Sequence, residues 1–261
     1  MKAIKRLTFL AVLVAFTACT DGPFAPWMDL TPPRGGWLWV AKNSNSSAIY
    51  KVDVSTGKRI DTLPAPFKKD WLGRNLGLAF GEDKLWVGLY DPGDDFEQVK
   101  TYLCWIDPVT GETGDWVEFE DEDAVLPRGF TWDGSRLWAA GGGYVHRIDP
   151  NTGESEYRFG VPFNVSGLAW DGSYLWTVTY PVAHDPGIRK IDPETGNVVH
   201  KIPNPCEGAT GLTWDGEALW VNDTKNAVVY RVAPDTGTVL GYFAYDFAPG
   251  PWGLAWEFPS E

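Results

Sequence analysis

The sequence predicts an all-β fold, a five-bladed β-propeller whose blades each have four strands. A glycine-led segment such as Gly211-Leu212-Thr213-Trp214 starts at positions 77, 129, 167, 211 and 253, which is a spacing of 38 to 52 residues. A Leu-Trp pair occurs five times, and so does a turn signature close to Ile-Asp-Pro-x-Thr-Gly. Periods near 40 residues built from short strands are typical of propeller blades.

Each part of the repeat has a predicted structural role. The glycine that opens the inner strand lets neighbouring backbones approach closely around the axis. Asp-Gly, as in Asp215-Gly216, suits a two-residue hairpin whose central residues need positive φ. In the longer turn signature, proline presets φ, the aspartate bonds nearby backbone and the glycine takes the left-handed conformation. The Leu-Trp strand is apolar on both faces, as expected for a sheet covered on both sides.

The order of the repeats predicts how the ring closes. The first repeat begins with the Leu38-Trp39 strand, and no glycine-led strand precedes it. The last repeat is the glycine-led strand at Gly253, and no Leu-Trp pair follows it. We therefore expect the C-terminal strand to complete the first blade, which removes an open sheet edge.

Residues 1–19 are predicted to be a signal peptide with a lipobox-like end. A basic start precedes an apolar run from Leu7 to Ala18, which is too short to span a bilayer. The segment Phe-Thr-Ala-Cys-Thr at 16–20 resembles a bacterial lipobox in which Cys19 is lipidated. An ordinary cleaved signal is the alternative.

The rest of the chain divides into a predicted flexible tether at 20–35, rich in proline, and a propeller domain at 36–258. With the signal, this organisation predicts an extracytoplasmic lipoprotein, periplasmic or on the cell surface. We expect contact with the membrane only through the lipid anchor, and a monomer.

The charge balance argues against a nucleic-acid partner. The net charge is −13, with 35 acidic and 22 basic residues, so no basic stripe is available to neutralise phosphates. Cys104 and Cys206 are expected on blades that are not neighbours, which predicts two free, mostly buried thiols rather than a disulfide. No Cys/His spacing fits a zinc site.

One acidic loop raises the question of a bound cation. Asp91, Asp94, Asp95 and Glu97 are close in sequence, and calcium prefers several carboxylate and carbonyl oxygens. Their spacing does not match a calcium-loop pattern, so a solvated acidic loop is the favoured interpretation. We expect no other cofactor.

Function is expected on the face with loops of variable length, because the turn signatures all lie on the opposite face. The residue before each inner-strand glycine should face the mouth of the axial channel. These residues are Leu76, Arg128, Ser166, Thr210 and Trp252. Arg128 could bind a carboxylate or phosphate bidentately, or it could pair with the acidic run at 120–123.

The variable loops also carry many aromatic residues. These would suit a peptide, a sugar or another uncharged organic ligand, or they simply pack the loops against the blades. His184 lies in such a loop without an evident catalytic partner in the sequence. The candidate ligand-binding residues are Asn75, Arg128, Ser166, Tyr180, His184, Thr210 and Trp252.

The five blades, the Gly-Leu inner strands and the Ile-Asp-Pro-x-Thr-Gly turns together resemble the glutaminyl cyclase (glutamine cyclotransferase) propellers of plants and bacteria. Similar repeats occur in YncE-like bacterial surface propellers. The resemblance covers about residues 36–258 and implies a catalytic glutamate, an asparagine and a tryptophan before the inner-strand glycines. Trp252 matches the tryptophan, whereas Asn75 and Glu207 are near the expected positions but out of register.

These observations predict a propeller that binds a peptide, a glycan or a partner protein of the cell envelope on its variable-loop face. A glutaminyl-peptide cyclotransferase that uses Glu207 as a displaced catalytic carboxylate is the alternative, because cyclisation needs a group that moves a proton. A structural module of an envelope complex is the second alternative.

Overall fold

The computed structural model describes residues 30, 32, 35–42, 48–66, 74–91, 100–119, 128–141, 143–179, 185–245 and 251–259. These ranges hold twenty strands and no helix. In chain order the strands are β1 (Trp37–Lys42), β2 (Ala48–Asp53), β3 (Lys58–Pro64), β4 (Arg74–Gly81), β5 (Lys84–Asp91), β6 (Lys100–Ile106), β7 (Val117–Glu118), β8 (Gly129–Trp132), β9 (Leu137–Gly141), β10 (Tyr144–Ile148), β11 (Ser155–Gly160), β12 (Val165–Trp170), β13 (Leu175–Thr179), β14 (Ile188–Ile191), β15 (Val198–Ile202), β16 (Ala209–Trp214), β17 (Leu219–Asp223), β18 (Val228–Val232), β19 (Val239–Ala244) and β20 (Pro251–Glu257).

The strands form five four-stranded antiparallel sheets, which are the blades of the predicted propeller. From the axis outward, blade 1 is β20-β1-β2-β3, blade 2 is β4-β5-β6-β7 and blade 3 is β8-β9-β10-β11. Blade 4 is β12-β13-β14-β15 and blade 5 is β16-β17-β18-β19. Among the described residues, no helix is long and apolar enough to cross a membrane.

The ring closes as the order of the repeats predicts. β20 lies beside β1, with Trp37 opposite Glu257 and Ala41 opposite Gly253. The last strand of the chain is therefore the innermost strand of the first blade. This pairing joins the two ends of the propeller by backbone hydrogen bonds.

The turn signatures adopt the predicted conformation. The signature glycines have φ between 66° and 77°, and in blade 3 the Gly153 amide donates to the Asp149 carbonyl at 2.9 Å. The Asp149 carboxylate accepts from the Asn151 amide at 2.8 Å. The glycine also allows close approach, since a Cβ on Gly196 in blade 4 would lie 2.8 Å from the Phe159 ring of blade 3.

The Asp-Gly turns differ from their prediction. In blade 3 the Asp133 amide donates to the Arg136 carbonyl, so Gly134 and Ser135 are the central residues. Only Gly134 has positive φ, at 105°. Asp133 precedes the turn, and its Oδ1 accepts from the amides of Ser135 and Arg136 at 2.8 Å each. The aspartate therefore closes the turn with its side chain, and the expectation of two positive φ values is wrong here.

A carboxylate at this position also fixes the tryptophan of the Leu-Trp strand in four of the five blades. The carboxylate belongs to an aspartate in blades 3, 4 and 5 and to a glutamate in blade 1. In each case one carboxylate oxygen accepts the indole N–H at 2.7–2.8 Å. The pairs are Trp39 with Glu257, Trp138 with Asp133, Trp176 with Asp171, and Trp220 with Asp215. The tryptophans pack between blades, so the turn and the core are held together as one rigid unit.

Candidate functional site

Neighbouring inner strands touch through their glycines at the axis. A Cβ built on Gly129 would lie 2.7 Å from the backbone nitrogen of Leu168, and one on Gly167 would lie 2.7 Å from that of Leu212. The predicted role of the glycines is therefore confirmed. The gap that these strands enclose is too narrow for a water molecule, so the described residues close the axis at this level.

A β-bulge lies just before the glycine, at the variable-face end of the inner strands. In blade 4, Val165 is opposite Thr179 and Gly167 is opposite Val178, which leaves Ser166 as the extra residue. Equivalent shifts of register occur in blades 1, 2 and 5. Bulges turn side chains out of the regular alternation of a strand, so the direction of these residues cannot be read from the repeat.

The structure places Ser166 and Thr210 inside the wall of the propeller. Ser166 is buried, and its single hydroxyl proton is shared between the carbonyls of Val178 and Ala209, at 3.1 and 3.2 Å from the oxygen. It therefore ties blade 4 to blade 5. Thr210 is also buried, and its hydroxyl accepts from the Asn222 side-chain amide at 2.9 Å. Both hydroxyls support the axial end of the strands, and a ligand role for either residue stays a prediction.

Arg128 has a different position from Ser166 and Thr210. Its amide donates to the Ala140 carbonyl at 2.8 Å, immediately before β8 begins. The residue is half-buried and lines the axial gap together with the inner-strand glycines. Among the described residues that line the gap, Arg128 carries a charge and the others are glycine, leucine or phenylalanine. The acidic run 120–123, its alternative partner, lies outside the described residues.

Glu207 lies in the connection between β15 and β16, on the variable-loop face. Its carboxylate is exposed and pairs with the Lys225 ammonium at 2.6 Å. The hydrogen bond from Lys225 lowers the pKa of Glu207 below its ordinary value. A carboxylate that takes up a proton near neutral pH needs a raised pKa, so Lys225 shifts Glu207 away from general acid–base chemistry.

The other candidate residues are described only in part. Asn75 lies opposite Leu89 within β4, and Trp252 lies within β20, but their side chains are outside the described part of the structure. Tyr180, His184 and the predicted lipidation site Cys19 are also outside it.

A cluster of charged residues in blade 4 was not predicted as part of the site. Arg189 is buried, and it donates to the Asp185 carbonyl at 2.6 Å and to its carboxylate at 2.8 Å. Lys201 also pairs with Asp185, and its hydrogen bond and that from Arg189 lower the pKa of that carboxyl. The Arg189 guanidinium lies 4.3 Å from the centre of the Phe163 ring. This cluster anchors the end of the loop that carries Tyr180 and His184.

The sequence did contain a signal for this cluster. Arg189 occupies a position in the third strand that holds tyrosine, cysteine or histidine in the other blades. A buried charge at a position that is otherwise neutral is costly unless it is paired. An arginine at this position therefore indicates that it has a specific local partner. In the structure that partner is Asp185, just before β14.

The thiols agree with the sequence prediction. Cys104 is buried, Cys206 is half-buried, and both are free. Burial raises the pKa of each thiol to about 12, so neither is reactive near neutral pH. Within the described ranges, no group of three or more potential metal ligands is close enough to hold an ion. Most of the acidic loop considered for calcium lies outside those ranges.

Comparisons with known proteins support the fold. No protein-family model and no curated protein matches the chain. Among solved structures, the chain is similar to glutaminyl cyclase from Myxococcus xanthus, with a TM-score of 0.53 and 13% identity over 91% of this chain and 94% of that one. It is also similar to a chain of the nidogen/laminin complex, with a TM-score of 0.52 and 15% identity over 86% of this chain and 99% of that one. The chain thus shares the propeller fold of a glutaminyl cyclase.

Proposed function

We propose that the propeller is a binding module that recognises a peptide, a glycan or a partner protein on its variable-loop face. The observation that carries this proposal is the difference between the two faces. Connections on the variable-loop face range from two residues at 142–143 to ten at 119–128. On the other face, the three Asp-Gly turns share one hydrogen-bond pattern and the five signature turns share another. Binding sites usually lie where loops vary on a rigid scaffold.

Arg128 is the residue on which the proposed site is centred. It stands at the axis, where the inner strands of all five blades converge, and its half-buried position supports a directed interaction with a ligand carboxylate or phosphate. The hydrogen-bonded walls formed by Ser166 and Thr210 hold the strands around it in place.

The test is a screen of immobilised peptides and glycans, followed by Arg128→Ala. We expect the variant to bind the selected ligand at least about tenfold more weakly. Lys58→Ala removes an exposed cation on the outer strand β3 and should leave binding unchanged. Failure of the wild-type protein to select any ligand, or equal binding by the Arg128 variant, would contradict the proposal.

Cyclisation of N-terminal glutaminyl peptides is the second candidate function, supported by the structural similarity to the Myxococcus xanthus enzyme. The test compares the wild-type protein with Glu207→Gln. Turnover that falls in the variant would establish an enzyme with a displaced carboxylate. Lys225→Met provides a matched variant, because it removes the partner that lowers the pKa of Glu207. If the activity depends on Glu207, the apparent pKa in its pH profile should rise in this variant.

We further infer that the chain works outside the cytoplasm, anchored by a lipid on Cys19. Metabolic labelling of a bacterial host with an alkyne fatty acid should label the wild-type protein and not Cys19→Ser. Cys104→Ser removes a buried thiol of the propeller and should keep the label. An unlabelled wild-type protein would exclude the anchor and leave a cleaved signal.

A further inference from the structure

A cleft of about 630 Å³ lies on the turn face between blades 4 and 5. Blade 4 contributes Tyr174, Trp176 and His200 to its walls, and blade 5 contributes Trp214 and Asp235. The cleft is on the side opposite the variable loops. It is therefore separate from the site of the proposed function.

At the cleft, blade 4 carries a smaller ring than the tyrosine at the equivalent position of blade 3. Tyr157 of β11 lies opposite Arg147, and its hydroxyl donates to the Glu194 carbonyl of the next blade at 2.8 Å. His200 of β15 lies opposite Lys190 in the same register, and its Nε2 is 3.0 Å from the carbonyl of Asp235 in the next blade. The two side chains make equivalent contacts between blades, but the imidazole fills less of the space.

The aromatic walls are not free to hold a cationic ligand. The Lys190 ammonium lies 4.4 Å from the centre of the Tyr174 ring and 5.2 Å from that of Trp176. It also pairs with the Asp171 carboxylate at 2.9 Å. The protein's own cation therefore occupies the faces on which a ligand cation would bind. Because Asp171 neutralises Lys190 and the chain has a net charge of −13, an anionic ligand is also disfavoured.

Two polar groups in the cleft, on His200 and Asp235, can accept hydrogen bonds. Nε2 of His200 faces the Asp235 carbonyl, and in the tautomer that carries its proton on Nε2, Nδ1 is an acceptor. The Asp235 carboxylate is exposed and accepts only. Trp214 is half-buried and gives the opposite wall a flat apolar surface. A matching ligand has several hydroxyl donors and an apolar face.

We propose that this cleft binds a neutral saccharide. Ring hydroxyls would donate to Asp235 and to His200, while the apolar face of a sugar ring would lie against Trp214. Aromatic walls combined with a few polar groups are typical of pockets for small ligands. The proposal does not depend on a ligand at the variable-loop face.

The test titrates the full-length protein with cellotriose, maltotriose and chitotriose, using saturation-transfer NMR and calorimetry. At least one trisaccharide should bind, and His200→Tyr should weaken its binding at least about tenfold. The variant should stay folded, because Tyr157 makes the same contact between blades 3 and 4. Asp61→Tyr places a tyrosine in the same register of blade 1, opposite Lys51, and should bind like the wild-type protein.

Asp235→Ala provides a second variant that removes an acceptor without filling the cleft. We expect it to weaken binding several-fold while the thermal unfolding midpoint stays that of the wild-type protein, since the side chain is exposed. The absence of binding by all three trisaccharides would overturn the proposal. Binding that is equal in the wild-type protein and both cleft variants would overturn it as well.

Discussion

Blades 2 and 5 have the same strand geometry but stabilise it by different means. In blade 5, Asp215 is completely buried and accepts from the Trp220 indole and from the Arg231 guanidinium, both at 2.8 Å. In blade 2, Gly81 stands at the position of Asp215, and Trp105 stands opposite Trp86 where blade 5 has Arg231. The Trp86 indole N–H is buried and has no acceptor among the described residues.

Aromatic packing fills the space in blade 2. The Trp86 ring stacks on Trp132 of blade 3, with the ring centres 5.9 Å apart and an angle of 5° between the planes. Trp132 lies directly against Gly81, so any Cβ there would collide with its ring. The turn that follows uses Glu82 and Asp83, both with positive φ, at 55° and 56°. In blade 2, aromatic packing thus replaces the polar network, and the adjoining turn has a strained backbone.

The difference shows that one interior position can be stabilised either by a complete polar network or by apolar packing. A buried carboxylate is costly unless all its partners are present. Burial lowers the pKa of Arg231, but the hydrogen bonds to Asp215 and Glu217 outweigh that effect and raise the pKa above its ordinary value. Blade 5 therefore depends strongly on each member of its network, and blade 2 depends on shape.

The largest effect is expected for Asp215→Ala. It would remove the acceptor of the Trp220 N–H and the buried one of the two carboxylates that pair with Arg231, which should lower the free energy of unfolding by about 3–5 kcal/mol. Urea unfolding measures this change. Asp235→Ala, which removes an exposed carboxylate in the same blade, should change it by no more than about 0.5 kcal/mol. A loss in the double variant Asp215→Ala/Arg231→Met as large as in Asp215→Ala would show that the lost pairing of Arg231 with Asp215 is not the cause.

The second effect concerns Gly81→Asp, which transfers the carboxylate of blade 5 into blade 2. It would offer Trp86 an acceptor, but the new Cβ would overlap the Trp132 ring. We expect a net loss of about 1–3 kcal/mol, because overpacking outweighs one hydrogen bond. Gly81→Ala introduces the same Cβ without the carboxylate and separates the two contributions in urea unfolding. A stabilised Gly81→Asp variant would show that Trp132 moves aside easily.

The fold could be predicted from sequence because it rests on spacing, and the spacing of the Gly-Leu, Leu-Trp and turn repeats is visible without a structure. Ser166 shows why the site was less predictable. The bulge at its position adds one residue to the strand, so the side chain bonds to Val178 and Ala209 instead of following the alternation. The cleft beside His200 was missed because the repeat does not show how much space remains between two neighbouring blades.

The third prediction uses a matched pair of tryptophans. Trp86 stacks on Trp132 and Trp220 stacks on Trp256 in nearly the same geometry, with ring centres 5.9 and 5.8 Å apart. The pairs differ in whether the indole N–H has an acceptor. Replacement by phenylalanine should therefore cost about 1–3 kcal/mol more at Trp220 than at Trp86. Equal losses in urea unfolding would mean that the hydrogen bond to Asp215 contributes nothing.

The smallest effect is a change in acid stability for Asp171→Asn. Burial raises the pKa of Asp171, but the hydrogen bonds from Lys190 and Trp176 outweigh it, so the pKa lies below the ordinary value of 3.8. The ionised group therefore adds stability that is fully present above that value and is lost as the pH falls through the lower folded pKa. Asp171→Asn should be less stable than the wild-type protein at pH 7 by about 1 kcal/mol, and the two unfolding curves should converge in acid.

Blade 2 provides the control for this last effect. Gly81→Ala alters the equivalent position, where the wild-type protein has no carboxylate, so its deficit should be the same at every pH. Unfolding midpoints in urea, measured from neutral pH down through the ordinary aspartate pKa, would test both variants together. A deficit for Asp171→Asn that persists unchanged into acid would mean that the neutral hydrogen bonds, rather than the charge facing Lys190, carry the stability of blade 4. Blade 4 would then depend on hydrogen-bond geometry rather than on charge, unlike the network of blade 5.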